Sequence, residues 1–302
     1  MEAAERGWID RFLSHLAHER RLSGHTVVAY RQDLLALAEF AGRRGLAWSD
    51  LDNSRMRAFA AAQHGASLSP RSIQRRLSAA RTFYEYLMRE GHCALNPALE
   101  VRAPKAKKRL PSTLDADQMG RLLAFRVDDS LSARDKAIME LFYSSGLRLS
   151  ELVGLSVGAI DLADRTVRVL GKGNKTRIVP VGRQAVDALR QWLKERAGLV
   201  KPAVDALFVG QRGRPLSVRA VQLRVGAWGR RQGIGVHVHP HMFRHSFATH
   251  LLESSGNLRG VQELLGHADI GTTQIYTHLD FHHLATVYEN AHPRARRGRR
   301  SA

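Results

Sequence analysis

Apolar side chains recur at helical spacing through the first ninety residues. In "GWIDRFLSHLAHER" they fall at Trp8, Ile9, Phe12, Leu13 and Leu16, and "TVVAYRQDLLALAEFAGRRG" repeats the stripe before stopping at glycine. Spacing of i, i+3, i+4 and i+7 places such residues on one face of a helix. The segment "SPRSIQRRLSAARTFYEYLMREG" carries its own punctuation, with Ser69 as an N-cap, Pro70 at the first helical position and Gly91 as a stop. The pattern predicts an all-helical domain over residues 1–91. It breaks at "NPALEVRAPKAKKRLP", where three prolines and five basic residues follow no period, so residues 92–110 are expected to be an extended basic linker. Beyond it, "DADQMGRLLAF" and "SARDKAIMELFYSSG" return to the helical period. "RTVRVLGKGNKTRIVPVG" alternates apolar and polar residues on both sides of a Gly-Lys-Gly-Asn turn, which predicts a β-hairpin with Lys172 near its tip. Helices resume near Arg183. The expected fold is mainly α with a small antiparallel β-sheet, in two domains, the second spanning residues 111–302.

A length of 302 residues gives both domains room to bury a core of their own. The single cysteine, Cys93, can build neither a disulfide framework nor a cysteine-rich zinc site, and a reducing, cytoplasmic setting is expected. The N-terminal "MEAAERGWIDRFLSHLAHERR" is charged and has no apolar core of a leader. No run approaches the roughly 18 apolar residues of a membrane span, so no membrane insertion is expected. Charge changes the picture more. The net charge is +19, which points to a polyanionic partner. Residues 1–100 carry 14 basic and 11 acidic side chains, against 33 and 17 in residues 101–302, so the second domain should make most of the electrostatic contact. With no long basic amphipathic helix to lie on a membrane surface, nucleic acid is the expected partner, and the family resemblance given below implies that it is double-stranded DNA. Arg71, Arg75 and Arg76 on the fourth helix, Lys105, Lys107 and Lys108 in the linker, and Lys175 in the hairpin are candidate DNA contacts. A solvated helix face is the alternative for the arginines.

The stretch "HPHMFRHSFATH" sets four histidines around Arg244. His241 and His245, four apart, have chelating spacing, but the residues between them are Met242, Phe243 and Arg244. A zinc-protease helix needs a glutamate in that gap, and a permanent cation there repels a divalent ion. An anion fits better: His241 and Arg244, three apart, share a face and offer a planar charged fork and an imidazole to one point. His239, His245 and His250 read singly as structural residues.

Taken together, "HPHMFRHSFATHLLESSGNLRGVQELLGHADIGTTQIYTHL", "SSGLRLSELVGL" and "LGKGNKTRIVP" resemble the motifs of the tyrosine recombinases, the phage-integrase family. The resemblance places the family's six functional positions at Arg148, Lys172, His241, Arg244, His267 and Tyr276. It extends through the helical first domain and linker, and "SPRSIQRRLSAARTFYEYL", "NPALEVRAPKAKKRLP" and "AHPRARRG" look like the bacterial Xer group within that family. It implies a core-binding and a catalytic domain that clamp DNA, with a C-terminal segment, after about His278, that docks on a neighbour. It also implies a heterotetramer with a XerD-like recombinase, a septal DNA translocase as regulator, and no cofactor.

The chemistry the resemblance implies is a covalent relay. Tyr276 would attack a phosphodiester, and its phenolic oxygen would later leave when a DNA hydroxyl attacks in return. Arg148 and Arg244 would stabilise charge on the non-bridging oxygens. Lys172 would protonate the departing oxygen, His241 would take the tyrosine proton or hold the phosphate, and His267 would donate a hydrogen bond. An ion pair between Arg148 and Glu151 is compatible with this role. A type IB topoisomerase, or a non-catalytic module docking on phosphates, stays open as an alternative from the residues alone.

Overall fold

The computed structural model describes residues 3–105, 113–171, 176–265, 288 and 291–293. It forms two compact units, residues 1–109 and 110–302. Both are mainly helical, and the second carries one small antiparallel sheet.

In the first unit, α1 (Ala3–His18), α2 (Gly24–Gly42), a 3-10 turn (Trp48–Asp50), α3 (Asn53–Gly65) and α4 (Pro70–Arg89) follow one another. Local chemistry sets their starts. Ser23, Asp52 and Ser69 each accept the amide three residues on, satisfying a donor the helix itself leaves open. Pro70 occupies the first turn of α4, and Gly91 follows the helix with a left-handed φ of 73°, as its punctuation predicts. The stripe Ile9, Phe12, Leu13 and Leu16 is buried together with Trp48, Phe59, Phe83 and Tyr84. The Tyr84 hydroxyl donates to the Trp48 carbonyl at 2.9 Å.

Residues 92–105, the described part of the stretch expected to be linker, are irregular but tied to this unit. Arg81 donates from Nε to the Ala98 carbonyl at 2.9 Å and from Nη2 to the Val101 carbonyl at 2.6 Å. Asn96 bonds the Arg81 carbonyl, and Ala98 and Val101 are buried. Two guanidinium donors and two apolar contacts outweigh the lack of a periodic pattern.

In the second unit, α5 (Ala116–Leu123), α6 (Ser130–Ser145) and α7 (Leu149–Val153) precede the sheet. Strands β1 (Ile160–Asp161), β2 (Thr166–Leu170) and β3 (Thr176–Pro180) lie in that order, antiparallel, with Val167 opposite Val179. The hairpin is the one the alternation predicts; β1, two residues long, is too short to alternate. Then come α8 (Arg183–Ala197), α9 (Val218–Arg231), α10 (Pro240–Ser255) and α11 (Leu258–Leu265). Helix α6 is buried on almost every side, from Ser132 to Ser145, so it is the axis around which the unit packs. Asp135, 1% exposed, fastens α9 to it. Its Oδ2 accepts from Arg224 Nε at 2.6 Å and Trp228 Nε1 at 2.9 Å, and its Oδ1 accepts from Arg134 Nη2 at 2.8 Å. Of the segment after His278, the described residues Tyr288, Ala291 and His292 lie in this chain's own core, where the His292 ring stacks on Tyr288 and meets Tyr143 and Phe247. No helix among the described residues is long and apolar enough to cross a membrane.

Replacing Asp135 by Ala leaves Arg134 buried without its carboxylate and frees α9 from α6. Loss of one partner of such a network costs about 3–5 kcal/mol, so urea unfolding of Asp135→Ala should show a stability drop of that order, far above the change for an exposed carboxylate such as Asp164.

Candidate active site

Helix α6 ends at Gly146, whose φ of 58° is left-handed. A Cβ at that position would sit 2.5 Å from the Phe247 ring, so both backbone angle and space call for glycine. The reversal throws Arg148 to the start of α7. There its backbone amide donates to Glu151 Oε2 at 2.8 Å and its Nη1 to Oε1 at 2.9 Å. The carboxylate is shared. From β3, Arg177 reaches it with both terminal nitrogens, at 2.9 Å each, the bidentate geometry in which an arginine fork binds most firmly. Burial works to raise the pKa of Glu151, but the Arg177 bonds, the Arg148 amide and the charges behind them prevail and hold it at about 2. It is an anion throughout the physiological range.

Arg244 enters from α10. Its Nη1 donates to the Gly146 carbonyl and its Nη2 to the Leu265 carbonyl, both at 2.6 Å. Burial lowers its pKa to about 10, with the Arg148 and Arg177 cations adding to the shift and Glu151 opposing it. Arg148, Arg177 and Arg244 therefore act on one another electrostatically around a single carboxylate. The cluster carries a net positive charge before any ligand arrives. The Arg148 side chain is 37% exposed against 9% for Arg177, so Arg148 offers a surface to solvent while Arg177 braces from within.

The histidines separate. His241, in the first turn of α10, is exposed, whereas Arg244 one turn on is drawn inward by its two carbonyls. His239, at the N-cap, has its pKa lowered by burial and by His241, His237 and His245. His250 is buried and bonded through Nδ1 to the Tyr143 hydroxyl at 2.9 Å, a structural position. His245 is exposed. No group of three or more metal-ligating side chains occurs among the described residues. Lys172, Lys175, His267, Tyr276, Lys107 and Lys108 lie outside the described residues. The Leu265 carbonyl, held by Arg244, is the last described point before His267.

Among the candidate DNA contacts, Arg71 and Lys105 are exposed. Arg75 instead pairs with the buried carboxylate of Asp33 at 2.7 Å, and Arg76 bonds Gln63 and lies 3.6 Å from Asp33. Sequence reasoning missed Arg177. Its signal was present: in "TRIVP" the inward register falls on Arg177 and Val179, leaving Ile178 on the exposed side, and an arginine at an inward strand position needs a buried partner.

Residues 112–283 match the Phage integrase family, and residues 9–91 match the Phage integrase, N-terminal SAM-like domain. The chain belongs to the phage integrase family. It is a tyrosine recombinase, a member of a family of site-specific DNA recombinases. Among its relatives, the tyrosine recombinase XerC of Azotobacter vinelandii is 58% identical, with 96% of this chain and 97% of that protein covered. The tyrosine recombinase XerC of Pseudomonas aeruginosa is 56% identical over 96% and 95%. Of solved structures, the XerH recombinase bound to palindromic difH substrate shares the fold, with a TM-score of 0.72 at 22% identity over 93% of this chain and 94% of that one. The integrase of mycobacterium phage Brujita aligns with a TM-score of 0.51 at 26% identity over 97% and 95%.

In this recombinase the depressed pKa of Glu151 has a signed consequence. A carboxyl whose folded pKa lies below its unfolded value stabilises the fold fully above the unfolded pKa and loses that contribution as pH falls through the folded one. The window here runs from about 4.5 down to about 2. Urea unfolding should find Glu151→Gln less stable than the wild type by on the order of 3 kcal/mol at neutral pH, with the gap closing as pH falls across that window. A gap independent of pH would contradict the ion-pair origin.

Proposed function

We propose that the chain cuts and rejoins DNA strands at specific sites through a covalent 3′-phosphotyrosyl bond to Tyr276. The observation that carries this reading is the convergence of Arg148 and Arg244, braced by Glu151 and Arg177, into a preorganised cationic cluster. Guanidiniums fixed in advance stabilise a pentacoordinate phosphorane without reorganising as charge develops. Tyr276 attacks the phosphorus, the DNA 5′-oxygen departs with a proton from Lys172, and the phosphotyrosyl bond keeps the energy for rejoining. His241, exposed at the start of α10, takes the tyrosine proton or holds the phosphate, and His267 donates to the same phosphate. The arginines supply the charge a divalent ion supplies elsewhere, so the reaction needs neither metal nor nucleotide.

The XerC names of the relatives support a finer reading. The chain acts in the cytoplasm with a XerD-like partner, two subunits of each on two DNA sites, to resolve chromosome and plasmid dimers at cell division under a septal DNA translocase. The first unit serves as the core-binding domain, residues 111–302 as the catalytic domain, and part of the segment after about His278 as a contact to the neighbour. Arg71, Lys105, Lys107, Lys108 and Lys175 meet DNA phosphates. Arg75 and Arg76 join them only so far as the Asp33 pairing leaves donors to share.

A nicked suicide duplex tests the chemistry. The wild type should yield a protein–DNA adduct that survives denaturation, at undiminished yield in chelator, and Tyr276→Phe should yield none. Arg244→Ala should slow adduct formation by about 10²–10³-fold, the usual cost of losing one donor to a developing oxyanion. An undiminished adduct in Tyr276→Phe would overturn the assignment, and relaxation of any supercoiled DNA without recombinant products would favour a topoisomerase.

A further inference from the structure

The side chains of the β2–β3 hairpin divide by face. Val167 and Val169 of β2 and Arg177 and Val179 of β3 are buried, whereas Arg168, Leu170, Thr176 and Ile178 are exposed. The register sets Val167 opposite Val179 and Val169 opposite Arg177. These two inward pairs join the hairpin to the body of the unit, and the second lies nearer the turn. Beyond it only the outward pair Leu170–Thr176 intervenes before the stretch of chain that bears Lys172.

The two pairs hold by different means. Val167, Val169 and Val179 are wholly buried, and the attraction that buries them has no preferred direction. Of the four inward side chains, Arg177 is the one that makes directed bonds: its two terminal nitrogens donate to the Glu151 carboxylate at 2.9 Å, one to each oxygen. A planar fork on a planar carboxylate fixes angle as well as distance. Glu151 is itself held on α7 by the Arg148 amide at 2.8 Å, so the fork ties the turn end of the hairpin to the helix that starts after Arg148. Val169, the partner of Arg177 across the ladder, is three residues from Lys172, a span of chain no longer than about 11 Å.

We infer that Arg177 is a positioning residue for proton donation in strand cleavage: through its fork on Glu151 it sets where the hairpin presents Lys172 to the departing 5′-oxygen. The inference rests on the proposed role of Lys172 as the acid. In that step the Tyr276 oxygen bonds to phosphorus, the bond from phosphorus to the 5′-oxygen breaks, and the Lys172 ammonium gives that oxygen its proton. A misplacement of about 1 Å at a reacting group is enough to cost about 10²-fold in rate. Arg177 then matters for its shape as much as for its charge, since a lysine in its place keeps the cation and loses the fork.

The test replaces the scissile 5′-oxygen of the nicked suicide duplex by sulfur. A thiol ionises near about pH 8.5, so a thiolate departs without the proton that an alkoxide requires. The full-length wild type, Arg177→Lys, Lys172→Ala and Arg244→Ala are compared by their rates of adduct formation on the oxygen and sulfur duplexes. Arg177→Lys should be slowed about 10–10²-fold on oxygen and should match the wild type on sulfur, as should Lys172→Ala. Arg244→Ala should stay slow on both, because a better leaving group does not replace a lost donor to the phosphorane. Recovery on sulfur also shows that the variant is folded. If Arg177→Lys stays equally slow on both duplexes while Lys172→Ala recovers, the positioning role is overturned and the acid assignment stands. Wild-type speed of Arg177→Lys on oxygen overturns the role as well. If Lys172→Ala fails to recover, the acid assignment falls and the role of Arg177 falls with it.

Discussion

Glu151 is a single buried carboxylate that joins β3 to α7, two segments distant in sequence. It accepts two bonds from Arg177 on the sheet and two from Arg148 at the start of α7, one through the backbone and one through the guanidinium. Alone at 4% side-chain exposure it would take up a proton, because burial disfavours the ionised form. Bonded as it is, it stays ionised and fixes the angle at which β3 meets α7. A guanidinium as buried as that of Arg177 could not be tolerated without it. The carboxylate thus allows a cation to be buried, and that cation in turn holds the carboxylate ionised.

Arg244 is held by a different means. Its two acceptors are main-chain carbonyls, of Gly146 at the end of α6 and of Leu265 at the end of α11. A carbonyl satisfies the geometry of a guanidinium without neutralising its charge. The arginine therefore stays a full cation, its pKa lowered first by burial and further by the neighbouring Arg148 and Arg177 cations. The same bonds tie the ends of α6 and α11 to α10. The glycine that makes the Gly146 carbonyl available is required by its own left-handed backbone and by the Phe247 ring against it.

Features governed by local rules were legible in the sequence. Ser69, Pro70 and Gly91 bound α4 because capping and backbone preference act within a few residues, and the hairpin follows from period-two alternation around a glycine turn. The Arg148–Glu151 pair was legible for the same reason, being three residues apart. Features that depend on tertiary contacts were not. Arg177 stands at an inward position of β3, but its partner Glu151 is 26 residues away and becomes apparent only once the strand is placed against α7. Arg75 and Arg76 read as a groove-facing row, yet they are 42 and 43 residues from Asp33, the carboxylate beside them. The stretch after Gly91 reads as free linker because what anchors it, Arg81 bonding two carbonyls, leaves no trace in its own composition.

These cases bear on how the net charge of +19 should be read. Net charge measures attraction for a polyanion only to the extent that the cations remain unneutralised and near the surface. Arg75 and Arg76 share Asp33, and Arg134 and Arg224 share Asp135, so within each pair one charge is cancelled. Arg81, Arg196 and Arg244 are instead bonded to carbonyls, at Ala98 and Val101, at Val204 and Ala206, and at Gly146 and Leu265. Each of these joins an irregular segment or a helix end to a helix, and none of those bonds uses a carboxylate. Arginine cross-links of this kind stiffen the fold while keeping its positive charge. Arg81, Arg196 and Arg244 thus order irregular segments and helix ends without cancelling any of the excess of 47 basic over 28 acidic residues.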